Sequence, residues 1–326
     1  MIISRTPLRV SFLGGGSDLP AYYRRHGGAV LSTAIEHSVY VTVSRKFDNA
    51  VRVSYSRTEE VTHASEVEHP LVRECLALLG IEGGIEITSV ADIPAKGTGL
   101  GSSSSFTVGL LNALHAYCGR HTTAAKLAAE SCQIEIERCG EPIGKQDQYA
   151  AAYGGLNFIR FHPDESVEVK KVVCAPKVMA DLQARLIFFY TGMTRSASAL
   201  LQQQSAEMAT SSTKSDAMGE MVRLAEAAFE DLCAGNIHTL GKMLHVAWQT
   251  KRQMTSGITN GIIDEAYQAA IDAGAEGGKL LGAGGGGFLM FFAQPERHDA
   301  IRRALHSLRE TPFRFAPQGS NIIFVH

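Results

Sequence analysis

Apolar and polar residues alternate in a way that divides the chain into a strand-rich beginning and a more helical remainder. Runs rich in β-branched residues, separated by turn residues, predict strands at 8–13, 29–43, 51–56 and 84–93. From Phe106 onwards apolar residues recur at helical spacing, and a second helical pattern covers 122–138. The first half of the chain is therefore predicted to mix strands and helices.

The second half combines longer helical patterns with a few short strands. Two strands are predicted at 156–161 and 167–173, and Ala175 and Pro176 mark the predicted boundary between domains at 1–176 and 177–326. Beyond it, the pattern predicts a strand at 186–190, helices over 197–254, a helix capped by Asn260, a glycine-rich strand region at 279–292 and a closing strand at 321–325.

Composition adds limits to this picture. A chain of 326 residues is long enough for two cores with a cleft between them. The 31 Lys and Arg residues nearly balance the 33 Asp and Glu residues, which argues against nucleic acid or a membrane surface as a partner. The six cysteines are scattered without metal or disulfide spacing, and no apolar leader or span is seen, so we expect a cytoplasmic protein. The oligomeric state, including a homodimer, stays open.

The most specific segment is PAKGTGLGSSSS at 94–105, between a predicted strand and a predicted helix. Alternate glycines let backbone N–H groups turn inward, and a helix that begins near Ser102 directs its positive end to the same point. The spacing matches neither a Walker A loop nor a dinucleotide-binding loop, and the remaining alternative is a plain Gly and Ser turn. The candidate anion-binding residues are Lys96, Gly97, Gly99, Leu100, Gly101, Ser102, Ser103 and Ser104.

The carboxylates Glu135, Glu137 and Asp147 fall in the stretch IEIERCGEPIGKQDQYAAAYGG, which links two predicted helices. Phosphoryl transfer needs positioning, charge neutralisation and a group that accepts or orients the attacking hydroxyl. Glu135 and Glu137 are two positions apart and point to different faces of a helix, so we expect only one of them to serve a metal. Alternatively, Glu137 is a solvated helix residue and Asp147 is the N-cap of the following helix.

The glycine and serine segment resembles the PxxxGLGSS phosphate loop of the GHMP kinases, the group of galactokinase, homoserine kinase, mevalonate kinase and phosphomevalonate kinase. The resemblance extends to TPLRVSFLGGGSD at 6–18, to the carboxylate stretch and to KLLGAGGGGF at 279–288. It implies an α+β fold of two domains, an ATP-binding domain like domain 2 of ribosomal protein S5 followed by a ferredoxin-like domain. It also implies ATP and Mg²⁺ as cofactors.

The resemblance suggests roles for individual residues. A Glu followed by Arg is the magnesium ligand of the family, which favours Glu137 together with Ser103, and an Asp about ten residues later is its catalytic base, which favours Asp147. Many members carry Lys where Arg9 stands. Since arginine stays protonated, Arg9 is expected to stabilise charge or orient Asp147 rather than accept a proton.

The same resemblance points to the substrate side of the cleft. Asp18 occupies the place of a sugar-binding Asp, or else it caps a helix before Pro20. The C-terminal glycine motif is expected to line the cleft opposite the phosphate loop, although a glycine-kinked strand would also explain it. The candidate substrate-binding residues are Gly15, Gly16, Ser17, Asp18, Lys145, Arg195, Gly284 and Gly285, with Lys145 and Arg195 either in a second phosphate site or ordinary surface charges.

The amino-acid sequences of the motifs are similar to those of bacterial kinases for D-glycero-D-manno-heptose 7-phosphate, which act on the anomeric hydroxyl. The implied product is a heptose 1,7-bisphosphate, used to make nucleotide-activated heptose for surface glycans. The alternatives are a kinase for a free sugar such as fucose or galactose, which would lack a second phosphate pocket, a sugar sensor without turnover, and a decarboxylase of the mevalonate pathway, which would not need Asp18.

Overall fold

The computed structural model describes residues 1–93, 97–193 and 197–326. The strands in this part of the chain are β1 (Ile2–Leu13), β2 (Gly28–Arg45), β3 (Val51–Ser54), β4 (Thr58–Val61), β5 (Ile85–Ala91), β6 (Leu156–Phe161), β7 (Val167–Lys171), β8 (Leu186–Tyr190), β9 (Gly277–Leu280), β10 (Phe288–Phe292), β11 (Arg309–Glu310) and β12 (Asn321–Val325).

The helices alternate with these strands. They are α1 (Pro20–His26), α2 (Pro70–Leu79), α3 (Ser102–Tyr117), α4 (Ala124–Cys132), α5 (Gln146–Tyr153), α6 (Pro176–Ala184), α7 (Ala197–Thr210), α8 (Ser212–Cys233), α9 (Leu240–Met254), α10 (Gly261–Asp272) and α11 (His298–Ala304). Short 3₁₀ turns lie at Ala64–Glu66 and Pro295–Arg297, and a π-helical turn at Gln133–Arg138 extends α4. No helix of the described ranges is long and apolar enough to cross a membrane.

The first sheet has eight strands and is built around the long strand β2. Its main path runs β12-β1-β2-β5-β3-β4, and β6 and β7 extend from the first half of β2. All of these pairs are antiparallel except that of β3 with β5. The eight residues at 6–13 of β1 are buried without alternation, because the strand is covered on both faces.

The closing strand returns to this first sheet. Ile2 on β1 pairs with Val325 on β12, so the last residues of the chain extend the sheet that the first residues begin. The boundary at residue 176 stays a prediction, but the closing strand, which that prediction assigned to the second domain, is hydrogen-bonded into the first sheet.

The second sheet has four antiparallel strands in the order β11-β8-β10-β9. Its strand β10 is buried throughout, as its run FLMFF suggests. Helix α9 packs against β9 and β10, and α10 packs against β9. Asn260 caps α10, as predicted, because its side-chain oxygen accepts a hydrogen bond of 3.1 Å from the backbone N–H of Ile263.

Helix α3 lies on β1 and β2 and is buried on most sides. Its close approach to β1 depends on Gly109, where an added Cβ would lie 2.6 Å from the Thr6 hydroxyl oxygen. Ser4 completes the contact, since its hydroxyl donates 2.7 Å to the Gly109 carbonyl oxygen. This packing fixes the N-terminus of α3, and with it the glycine-rich loop, against the middle of β1.

Candidate functional site

A cavity of about 710 Å³ opens between the two halves of the molecule. Its walls come from β1, the loop before α1, the phosphate loop with the start of α3, the start of α5, α7, α9 and the C-terminal glycine motif. The predicted residues Gly97, Gly99, Leu100, Gly101, Ser102, Ser103 and Ser104 all line it. Lys96 lies outside the described residues.

The phosphate loop places a helix N-terminus on the cavity. Gly99 and Gly101 have φ angles of +75° and +76°, which side chains with a Cβ rarely adopt. Helix α3 begins at Ser102, as predicted, and no side chain caps it. The buried Ser102 hydroxyl has no hydrogen-bond partner among the described residues. The free N–H groups and this hydroxyl make the wall suitable for an anion.

The C-terminal glycine motif touches the phosphate loop directly. An added Cβ at Gly282 would lie 2.4 Å from the Gly99 Cα, and one at Gly287 would lie 2.5 Å from the Thr98 carbonyl oxygen. The motif, which was expected to line the cleft opposite the phosphate loop, therefore packs directly against that loop.

The particular glycines chosen from that motif do not line the cavity. Gly285 donates its backbone N–H to the Ile258 carbonyl oxygen at 2.9 Å, and an added Cβ at Gly284 would lie 2.7 Å from the Ile258 Cα. Gly282 and Ala283 line the cavity instead. The choice of Gly284 and Gly285 is corrected on this point, because both pack against the segment before α10.

Arg9, which is buried, and Asp147, which is partly exposed, form an ion pair beside the start of α3. The Arg9 Nε donates to Asp147 Oδ1 and its Nη2 donates to Oδ2, each at 2.6 Å. The remaining Nη1 donates to the Gly99 carbonyl oxygen, also at 2.6 Å. Asp147 is the second residue of α5 and does not cap it, because the N-cap is Lys145. The three bonds hold the carboxylate and the phosphate loop in one rigid unit.

The structure places Glu135, rather than Glu137, next to Ser103. The Ser103 hydroxyl donates to Glu135 Oε1 at 2.9 Å, and Gln148 Nε2 donates to Oε2 at 2.6 Å. Glu135 is fully buried behind Ser103, whereas Glu137 is exposed, and neither glutamate lines the cavity itself. The expectation that Glu137 accompanies Ser103 is wrong, because the π-helical turn points Glu135 inward.

The pattern carried a signal for this placement. Leu127, Ser131 and Glu135 follow one another at steps of four, and all three are buried. Glu137 falls off that row. The row of buried residues at steps of four along the helix therefore favours Glu135 over Glu137 as the inward-facing carboxylate.

The donor set around Glu135 fits a magnesium ion that is bound mainly through a nucleotide. Burial raises the pKa of Glu135 to about 7, although hydrogen bonds from Ser104, Gln148 and Ser103 lower it. No cation pairs with this carboxylate in the described part of the chain, and no cluster of three or more metal-ligating side chains is found there. One carboxylate and one hydroxyl are a typical protein contribution to Mg²⁺, which keeps water and phosphate oxygens as its other ligands.

Asp18 lines the cavity together with Gly15 and Gly16. Its carboxylate accepts hydrogen bonds from the backbone N–H groups of Gly16 at 2.9 Å and Gln146 at 3.1 Å, and from the Gln146 side chain at 3.1 Å. Asp18 is only 2% exposed, and burial raises the pKa of its carboxyl above the usual value, with a further contribution from Asp147. The residue does not cap α1, whose N-cap is Leu19.

Ser17 has a structural position instead. It is fully buried, and its hydroxyl donates to the Ala29 carbonyl oxygen at 3.1 Å and accepts from the Ala29 N–H at 3.0 Å. It does not line the cavity. Ser17 therefore anchors the loop that carries Asp18, and its choice as a substrate contact is corrected.

Three polar side chains that the sequence analysis did not select surround the Asp18 loop. Buried polar atoms without a partner in the described ranges include Ser11 Oγ, Gln146 Oε1 and Gln204 Nε2, and all three residues line the cavity. An added Cβ at Gly15 would lie 3.2 Å from Ser11 Oγ, and one at Gly16 would lie 2.9 Å from Gln204 Nε2. Unpaired buried donors and acceptors of this kind suit the hydroxyl groups of a ligand.

Lys145 points away from this cavity. Its ammonium pairs with the Glu165 carboxylate and lies 4.9 Å from the centre of the Tyr23 ring. It is absent from the cavity lining, so it does not form the expected second phosphate site there. Arg195, the other cation chosen for that site, lies outside the described residues.

Two buried lysines of the cavity wall are likewise absent from the candidate residues predicted from the sequence. Lys251 on α9 and Lys279 on β9 are 6% and 4% exposed. Lys251 occupies the buried stripe of α9 with Leu244, Ala247 and Trp248, so helical spacing alone marks it as an unusual cation on an apolar face.

The cleft has a helix N-terminus that suits an anion and a fixed carboxylate, and behind its Ser103 lies a second, buried carboxylate; together these are the parts that phosphoryl transfer requires. The fold and the site thus define a small-molecule kinase with two α+β halves.

The chain belongs to the GHMP kinase family. The model of the GHMP kinases N terminal domain matches residues 40–155, and that of the GHMP kinases C terminal domain matches residues 228–310. The predicted family and two-domain α+β fold are confirmed.

Relatives of known activity support this membership. A D-glycero-alpha-D-manno-heptose 7-phosphate kinase of Campylobacter jejuni is 27% identical over 93% of this chain and 93% of its own length. An L-fucokinase/L-fucose-1-P guanylyltransferase of Bacteroides fragilis is 27% identical over 94% of this chain but only 36% of its own length. A solved D-glycero-D-manno-heptose 1-phosphate kinase from Bacteriodes thetaiotaomicron matches 100% of both chains with a TM-score of 0.82 and 24% identity, which shows the shared fold.

Proposed function

We propose that this kinase transfers the γ-phosphoryl group of ATP to a hydroxyl of a sugar phosphate, and that the acceptor is the anomeric C1 hydroxyl of D-glycero-D-manno-heptose 7-phosphate. The observation that carries the proposal is the Arg9–Asp147 pair, held by Gly99 at the edge of the phosphate loop. This arrangement supports a reaction in which the acceptor hydroxyl lies between the Asp147 carboxylate and a phosphate bound at the N-terminus of α3.

In the proposed reaction the acceptor oxygen attacks the γ-phosphorus as the bond to the β,γ-bridging oxygen breaks. ADP leaves, and the hydroxyl proton passes to the Asp147 carboxylate. Arg9 orients that carboxylate through two parallel hydrogen bonds. The N–H groups at the start of α3 bind phosphate oxygens and stabilise the charge on the transferred group.

Magnesium would be held by the Ser103 hydroxyl and the Glu135 carboxylate, and when bound it neutralises charge on the β- and γ-phosphates. Ser103 lines the cavity at the start of α3, and Glu135 lies directly behind it.

The acceptor would lie on the Asp18 side of the cavity. Asp18, Gln146 and Ser11 offer acceptors and donors for several adjacent hydroxyl groups, which a sugar presents and mevalonate does not. The Campylobacter jejuni relative, named as a heptose 7-phosphate kinase, supports the choice of sugar.

The test is magnesium-dependent ADP release across heptose 7-phosphate, mannose 6-phosphate, fucose, galactose and mevalonate. Selective turnover of heptose 7-phosphate, with the new phosphate located at C1 by NMR, is the expected result. Turnover of none of the sugars would overturn the proposal.

A free sugar is the second candidate. It is favoured by the position of Lys145, which pairs with Glu165 away from the cavity and so leaves one expected phosphate contact unavailable. Higher kcat/KM for fucose or galactose than for both sugar phosphates would select this reading.

A further inference from the structure

Lys251 is a buried cation of the cavity wall to which the proposed chemistry has given no role. It lies near the end of α9, is 6% exposed and lines the cavity. Its Nζ donates 2.7 Å to the Gly282 carbonyl oxygen. Because Gly282 packs on Gly99, this bond holds the ammonium beside the phosphate loop.

The ammonium lacks a carboxylate partner. Within the described ranges, the Gly282 carbonyl is its sole hydrogen-bond or ion-pair partner, whereas Lys145 pairs with Glu165. Burial, with a smaller contribution from the charge of Arg9, lowers the pKa of Lys251 to about 8, although Asp18 and Asp147 act in the opposite direction. A buried charge without a counter-ion is costly, and a carbonyl oxygen alone does not offset that cost.

Two explanations for such a lysine lead to different expectations. If Lys251 only joins α9 to the glycine motif through its hydrogen bond to Gly282, one donor is enough, and the buried positive charge destabilises the fold. If an anion enters the cavity, the charge is useful, because an ammonium has three donors and one of them is occupied. The cavity position, next to the anion-binding start of α3, favours the second explanation.

We propose that Lys251 binds a phosphate group of the reactants and acts as a cationic wall beside the phosphate loop. The inference rests on the proposed function only in that the ligand is a phosphate. The phosphate has two sources, the γ-phosphate of ATP or the phosphate carried by a sugar acceptor. The contact of Gly282 with the phosphate loop favours the γ-phosphate.

The test compares Lys251→Met, which keeps chain length and removes charge, with Lys242→Met, an exposed lysine on the same helix. Binding of ATP, ADP and inorganic pyrophosphate is measured by calorimetry without an acceptor. Loss of one charge-assisted bond is expected to weaken ATP binding by Lys251→Met about ten- to a hundredfold, leave ADP nearly unchanged, and have no counterpart in Lys242→Met.

Kinetic measurements with acceptors test the second source, the phosphate carried by a sugar. An unchanged Kd for ATP, combined with a KM raised at least about tenfold for a phosphorylated acceptor but not for a free sugar, would assign Lys251 to the acceptor phosphate. Since the nucleotide arm needs no turnover, failure of the heptose assignment does not affect it. Lys251→Arg keeps the charge and is expected to recover most of the lost binding.

Two results would overturn the inference. One is unchanged affinity of Lys251→Met for ATP, pyrophosphate and phosphorylated acceptors alike. The other is equal loss in Lys251→Arg and Lys251→Met with a lowered unfolding temperature in both, which would assign Lys251 to the structural contact with Gly282.

Discussion

The guanidinium of Arg9 and the carboxylate of Asp147 meet in two parallel hydrogen bonds of 2.6 Å, although the residues are 138 positions apart in the chain. Arg9 comes from the middle of β1, and Asp147 from the first turn of α5. Because the third arm of the guanidinium holds Gly99, one arginine sets the position of both the carboxylate and the phosphate loop.

Replacing Asp147 by Asn is expected to lower kcat by about two orders of magnitude or more, the usual scale for loss of a general base. Binding of ATP, measured by calorimetry, should stay nearly intact. Asp299→Asn, at an exposed position of α11, is the control and should leave kcat unchanged. Undiminished turnover of Asp147→Asn would exclude the residue as the base.

Glu135 and Glu137 offer a matched pair for the metal site. We expect Glu135→Gln to raise the Mg²⁺ concentration for half-maximal ADP release by about ten- to a hundredfold, since a neutral amide is a poor ligand for a hard cation. Glu137→Gln should behave like the unmodified protein, because that side chain is exposed. The opposite ranking of the two variants would restore Glu137 as the ligand.

Asp18→Asn is expected to raise KM for the sugar acceptor about tenfold or more and to change the Kd for ATP little. The reason is that Asp18 lines the cavity with Gly15 and Gly16, and its hydrogen-bond partners are Gly16 and Gln146 rather than residues of α3. Steady-state kinetics with either substrate varied will separate the two effects. A larger effect on ATP than on the acceptor would show that the sugar site has been placed on the wrong side.

The charge of Lys251 predicts a decline of activity at alkaline pH. Its surroundings include Arg9 on β1, Asp147 on α5, the Asp18 carboxylate and Lys279 on β9. With a pKa lowered from 10.5 to about 8, the ammonium of the free enzyme loses its proton as the pH rises through 8. We therefore expect kcat/KM for ATP to fall above about pH 8, and Lys251→Met to lack that decline.

The lowered pKa of Lys251 also makes the stability of the fold depend on pH. Between pH 8 and 10.5 the unfolded chain holds more protons at Lys251 than the folded chain, so stability from this group rises with pH. Below pH 8 the full cost of burying the charge remains. Ligand-free Lys251→Met should therefore unfold at a higher temperature than the unmodified protein at pH 7, and the gap should shrink towards pH 10. An unfolding temperature below that of the unmodified protein at pH 7 would contradict this expectation.

Several features of the fold and site could be predicted because they depend on local preferences. Strands at Leu156–Phe161 and Asn321–Val325 and the start of α3 at Ser102 follow from β-branched runs, glycine and helix capping. Gly99, Gly101 and Ser103 could be predicted to line one cavity for the same reason, since a loop of this kind shapes its surface with its own backbone.

Other features depended on which distant segments pack together. The choice between Glu135 and Glu137 rested on the inward face of a π-helical turn, and the role of Lys145 depended on Glu165, twenty positions further along the chain. The position of Lys251 in the cavity wall depends on the packing of α9 beside Gly282. The sequence by itself determined the secondary structure and the phosphate loop, because these follow from short-range conformational preferences. Tertiary structure alone decided which charged groups are paired, buried or directed into the cavity, because those properties depend on neighbours that are remote in the chain.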